Sequence, residues 1–126
     1  MKVYVAGPYT PNDGREETRL DNIRRASEVA QRLLRAGHTP FCPHTMTAGW
    51  EETCGYDDFL RLGLEWLATC DAILLLPGWE SSQGARMERA EAERLDIPAY
   101  RCEEIGLPTQ MDSRHSLSGT PGTSPG

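Results

Sequence analysis

Four short apolar runs, separated by three amphipathic helical stretches, predict an α/β chain in the order βαβαβαβ. Two further observations sharpen this. The run Asp71-Ala72-Ile73-Leu74-Leu75-Leu76 is continuously apolar, as in a strand buried on both faces. The connections are short, and right-handed crossovers between parallel strands then place helices on both sides of one sheet. The predicted architecture is a three-layer sandwich around a four- to five-stranded parallel sheet, Rossmannoid and flavodoxin-like in its winding.

The elements follow in order. Val3 to Ala6 is a first strand, broken at Gly7-Pro8, and Pro11-Asn12-Asp13-Gly14 reads as a turn. From about Thr18 to Ala36, the apolar residues Ile23, Ala26, Ala30, Leu33 and Leu34 form a helical stripe. Thr18-Arg19-Leu20-Asp21 offers a variant capping box at its start, and Gly37 suits the left-handed position after its end. His38 to Cys42 is a weaker second strand, ended by Pro43, and residues 43–55 read as a loop carrying His44, Trp50, Glu51 and Glu52. A second helix runs from about Asp57 to Thr69 with Phe59, Leu60, Leu64 and Leu67 inward. After the third strand, Pro77-Gly78-Trp79 forms a stop, a third helix covers about Gly84 to Leu95, and Ile97 to Arg101 forms a fourth strand. The expected domain covers residues 1–106. Residues 107–126 are Pro, Gly, Ser and Thr with little apolar content, and read as a disordered tail.

Composition narrows the function. The 126 residues carry 13 basic and 19 acidic side chains, a net charge of −6 that disfavours binding to a nucleic-acid polymer. No apolar run approaches the roughly 18 residues of a membrane span, and residues 1–6 lack the form of a signal peptide. Cys42, Cys54, Cys70 and Cys102 are widely spaced, without a CxxC pair, and read as reduced thiols of a cytoplasmic protein. No His, Cys and Asp set has metal-ligand spacing, so no metal is expected. There is neither a GxGxxG fingerprint nor a GxxxxGK[ST] loop, so no dinucleotide or other cofactor is expected.

In an open parallel sheet, ligands bind beyond the carboxyl ends of the strands. Three loops converge there: Gly7-Pro8-Tyr9, Pro43-His44-Thr45, and residues 77–82. On the third helix Ala85, Glu88, Ala92 and Leu95 share one face, so a carboxylate sits in the stripe expected to face the sheet. Its place near the positive end of the helix favours the ionised form, and such a carboxylate can act as a nucleophile. Periodicity alone equally allows a rim Glu paired with Arg86 or Arg89. Trp79 either stacks on a ligand or closes the rim. Asp71 reads as a cap into the third strand, and Trp66 as a core or interface aromatic.

The segments VYVAGPYT, CDAILLLPGW and SSQGARMERAEAERL resemble the nucleoside 2-deoxyribosyltransferase-like superfamily, which includes 2′-deoxynucleoside 5′-monophosphate N-glycosidases. The likeness covers about residues 2–100 and points to a small, poorly characterised branch. It implies that Glu88 attacks the anomeric carbon of a nucleoside sugar to form a glycosyl-enzyme, and that Tyr4 orients it. Ser82 matches a position that contacts phosphate in the monophosphate hydrolases. Gly7, Pro8, Tyr9 and Arg15 match the loop around sugar and phosphate, and His44 the loop that approaches the base. Trp79, Ser82 and Gly84 complete the expected binding set.

One departure stands out. The superfamily's Asp that helps protonate the leaving base aligns with Gly63. Asp58, with Asp57 and Glu80 behind it, is the candidate substitute for the catalytic acid. The implied enzyme is an N-glycosidase or deoxyribosyltransferase acting by double displacement. The alternative is a nucleotide-binding or sensing module that has lost turnover. A homodimer or larger homo-oligomer is expected from a small sheet with an exposed edge, and a nucleoside or nucleotide from the site residues.

Overall fold

The computed structural model describes residues 1–9 and 14–105. Among them are four strands: β1 (Lys2–Ala6), β2 (Thr39–Phe41), β3 (Ala72–Leu75) and β4 (Ala99–Arg101). Four helices accompany them: α1 (Glu16–Arg35), α2 (Pro43–Met46), α3 (Tyr56–Leu67) and α4 (Gln83–Arg94). Short 3₁₀ turns at Trp79–Ser81 and Cys102–Ile105 complete the set. The strands form one parallel sheet in the order β2-β1-β3-β4. Pro40, which cannot donate to a ladder, sits on the edge strand β2, where Pro is tolerated. The tail expected over 107–126 lies outside the described residues, as does the turn at Pro11–Asp13.

The period-two alternation of β1 divides the core. Val3 and Val5 face α1, packing with Ala26, Val29, Leu33, Leu74 and Leu76. Tyr4 and Ala6 face α3 and α4, packing with Phe41, Leu67, Ile73, Leu75 and Ala92. This is the expected three-layer α/β sandwich, and all four β1 residues from Val3 to Ala6 are buried because helices cover both faces. No described helix is long and apolar enough to cross a membrane.

Several local expectations are corrected. α1 starts at Glu16, with Arg15 at the cap position and no side-chain cap bond, so the Thr18–Asp21 box lies inside the helix. Glu16 and Glu17 in the first turn favour the positive helix end instead. In the stripe, Val29 is buried while Leu34 is exposed, since the 100° step carries Leu34 off the face centred on Ala26 and Leu33. The helix end follows expectation. Gly37 adopts φ +95°, and the amides of Gly37 and His38 donate back to Leu34 and Leu33 at 3.1 and 2.9 Å, a Schellman ending. Residues 43–46, expected in a loop, form the one-turn helix α2, started by Pro43 at its first position. Asp71 acts across strands: its Oδ2 accepts from the Lys2 backbone amide at 2.8 Å.

Candidate functional site

The chain runs from β1 outward to β2, then returns across β1 to β3, so the connections diverge between β1 and β3. Such a divergence opens a crevice at the carboxyl ends of the strands. A cavity of about 610 Å³ occupies it, walled by Gly7 and Tyr9 after β1, Pro43 and His44 after β2, and Ser81 to Ala85 entering α4. Tyr56, Phe59 and Leu60 from the start of α3 form another wall, and Glu88 reaches in from α4.

Glu88 holds the centre of the arrangement. Its position between Ala85 and Ala92, both buried, turns it toward the sheet. There the Tyr4 hydroxyl donates to Glu88 Oε2 at 2.6 Å, a charge-assisted bond between residues 84 apart in sequence. Tyr4 is fully buried, with its ring stacked on Phe41 at 5.4 Å, and Phe41 is stacked on Trp66 at 4.7 Å. Burial raises the Glu88 pKa from its ordinary 4.5 to about 7, while the Tyr4 hydrogen bond pulls the other way. The expectation of a firmly ionised carboxylate is therefore corrected. Glu88 is the sixth residue of α4, beyond the first turn where the helix field is strong, and desolvation wins. Tyr4 is shifted upward, first by burial and then by the adjacent carboxylate, so it remains a donor.

The first loop is tied down by a polar cluster that the sequence did not reveal. The Tyr9 hydroxyl donates to Glu51, and Arg19 Nη1 donates to the same hydroxyl at 2.8 Å. Glu51 Oε1 also accepts from the Gly49 amide at 3.1 Å. The Tyr9 hydrogen bond holds Glu51 below its ordinary pKa. Glu51 lines the cavity as well, which joins the loop before α3 to the loop after β1. His44 is buried, and Nε2 donates to the Pro8 carbonyl at 2.8 Å because a carbonyl can only accept. Burial lowers its pKa, so the ring is neutral, with Nδ1 lacking a partner among the described residues.

At the start of α4, Ser82 Oγ accepts from the Ala85 amide at 3.2 Å and caps the helix. Ser82→Ala is expected to cost about 1 kcal/mol of stability, read as a lower midpoint in urea unfolding. An unchanged midpoint would refute the capping role.

The structure thus gathers Gly7, Tyr9, His44, Ser82, Gly84 and Glu88 around one cavity, with Tyr4 behind Glu88. Other expected residues stand apart from its wall. Pro8 contributes through its carbonyl to His44, and Arg15 pairs with Glu17 at the surface. Trp79 is half-buried and packs against the α3 and α4 side of the core. Asp58 is exposed, and its Oδ2 accepts from the Gly55 amide at 2.9 Å, a capping bond at the start of α3. Asp57 and Glu80 are likewise exposed and outside the wall. The rim alternative for Glu88 fails, since Tyr4 is its partner and Arg86 instead donates to the Glu80 carbonyl at 2.8 Å. Glu51, Tyr56, Phe59 and Leu60 join the site unforeseen as site residues. The one available signal was the inward reading of Phe59 and Leu60 on their helix.

Comparison with known proteins agrees with this architecture. A 2-deoxyribosyltransferase from the psychrotolerant bacterium Bacillus psychrosaccharolyticus superposes with a TM-score of 0.57, at 20% identity over 80% of this chain and 71% of that one. A 2-deoxyribosyltransferase from Leishmania mexicana gives a TM-score of 0.48, at 18% identity over 87% of this chain and 74% of that one. The first likeness establishes a shared fold. No curated protein matches the sequence. Residues 1–100 match the family described as "Domain of unknown function (DUF4406)", and the chain belongs to that family.

Proposed function

We propose that this chain cleaves the N-glycosidic bond of a nucleoside or nucleoside 5′-monophosphate, with Glu88 as nucleophile. The observation that carries the reading is the Tyr4–Glu88 hydrogen bond of 2.6 Å at the wall of the cavity. A carboxylate oriented by one hydroxyl, partly desolvated and facing an open volume has the features of an activated nucleophile.

In the first step the Glu88 carboxylate forms a bond to C1′ of the sugar, and the electron pair of the C1′–N bond leaves with the base. In the second step water attacks C1′ and gives hydrolysis, or another base attacks and gives transfer. Attack by either nucleophile breaks the Glu88–C1′ ester bond and returns the free carboxylate, with the nucleophile's proton passing to solvent. His44 and Tyr9, which meet edge to face at 5.5 Å, form the wall offered to the base. Ser82 and Gly84, at the positive end of α4, are the groups offered to a 5′-phosphate.

The departing base needs a proton. Asp58 is outside the wall, and Glu51 is held toward its ionised form by Tyr9. Substrates whose base leaves readily are therefore expected to react fastest, because general acid catalysis is typically worth 10²–10⁴-fold. The second reading, a binding module without turnover, draws on Gly63, but that glycine also has a packing reason, since a Cβ there would collide with the Tyr4 hydroxyl. No cofactor enters the proposed chemistry. A cytoplasmic location and a homo-oligomer joined through exposed side chains such as Leu20, Leu34 and Met87 belong to the same proposal.

The test is base release, followed by chromatography across deoxy and ribo nucleosides and their 5′-monophosphates, with a second free base in half the samples. Release by the protein supports the glycosidase reading, and a swapped base makes it a transferase. Binding without release across the panel would leave the sensing module in its place.

A further inference from the structure

Gly63 lies in α3, the helix that covers the Tyr4 side of the sheet. Glycine inside a helix costs about 1 kcal/mol relative to alanine, so its presence there calls for a reason. The reason is space. A Cβ at this position would lie in forbidden contact with the Tyr4 hydroxyl and 3.1 Å from Glu88 Oε2.

Tyr4 has little freedom to retreat. Its backbone pairs with Phe41 on one side and Ile73 on the other, and its fully buried ring is stacked on Phe41. Phe41 is in turn backed by Trp66 from α3 itself. A side chain at Gly63 would therefore act on the softest link, the hydrogen bond between Tyr4 and Glu88.

We infer that Gly63 is a positioning residue for the reaction proposed above: its missing side chain lets the backbone of α3 close over the Tyr4–Glu88 hydrogen bond and hold the Glu88 carboxylate in place. The role in catalysis rests on Glu88 being the nucleophile; the packing does not. The resemblance aligns Gly63 with an acid in other members of the superfamily. On this backbone such an acid finds no room, so Gly63 reflects a different closure of the site rather than simple loss of a proton donor.

The experiment is a double-mutant cycle between Gly63→Ala and Tyr4→Phe, read by thermal unfolding and by carbon-13 NMR titration of Glu88. Gly63→Ala is expected to lower Tm by roughly 5–15 °C, despite the better helix propensity of alanine. In the Tyr4→Phe background, where the obstructing oxygen is gone, most of that loss should disappear. In the parent protein Tyr4→Phe should raise the Glu88 midpoint, whereas in the Gly63→Ala background it should leave the midpoint in place. Equal Tm losses in both backgrounds, or equal midpoint shifts, would overturn the inference. If Gly63→Ala does not fold, a folded double variant supports the inference and an unfolded one overturns it. Neither readout uses turnover, so a failure of the proposed chemistry would be seen separately, in base release.

Discussion

Glu88→Gln is expected to abolish base release while leaving ligand affinity largely intact. The side chains are nearly equal in size, and the Gln carbonyl can still accept from the Tyr4 hydroxyl that now meets Oε2 at 2.6 Å. What is lost is the negative charge that the proposed attack requires. Removing an enzyme's nucleophile costs on the order of 10³–10⁶ in rate, far beyond what lost packing at this site would produce. The check is release of base per unit time beside binding measured by thermal shift. Equal release by the parent and Glu88→Gln would sink the nucleophile reading. The pH profile of the parent adds a second view. Since attack needs the carboxylate, kcat/KM should rise through a limb near pH 7, set by burial of Glu88. Tyr4→Phe removes the bond that favours the charged form, so it should move that limb to higher pH.

Glu88→Gln is also expected to stabilise the protein above neutral pH. A carboxyl raised from 4.5 to about 7 keeps its proton in the folded state where the unfolded chain has released it. Stability therefore falls as pH rises from about 4.5 to about 7, and the full cost remains above that range. At about 1.4 kcal/mol per pH unit the cost is at most about 3.5 kcal/mol, and contact with solvent in the cavity reduces it to about 2 kcal/mol. Glu88→Gln should recover that amount at pH 8 and nothing at pH 4. Urea unfolding at the two pH values measures the difference. A gain of equal size at both would show that removal of charge is not its source. Lost activity with raised stability is the pattern expected where a site holds a charge in a costly environment.

Much of this arrangement was legible along the chain. The apolar run from Ala72 to Leu76 and the stripe through Ala26 and Leu33 identify a sheet with helices on both faces, because periodicity depends on local backbone geometry. Glu88 was visible for the same reason, as a carboxylate at a position where helical spacing calls for an apolar residue. The superfamily resemblance singled out Tyr4 as well. Sequence alone left open whether Glu88 faced Tyr4 or a neighbouring Arg, since both satisfy the same spacing.

Tertiary structure decided what depends on residues far apart. Asp58 is spent on a helix cap, because a carboxylate in the first turn of α3 reaches the Gly55 amide before it can reach the cavity. Trp79, half-buried, packs against the core that Tyr4 and Ile73 help to form. Glu51 enters the site through Tyr9 and Arg19, 42 and 32 positions away, by contacts with no periodic signature. The Glu88 pKa and the need for glycine at position 63 arise from the density of atoms that β1, α3 and α4 bring together. Local pattern determined which faces are buried; only packing determined what each buried polar group meets, and that partner decides its charge and its chemistry.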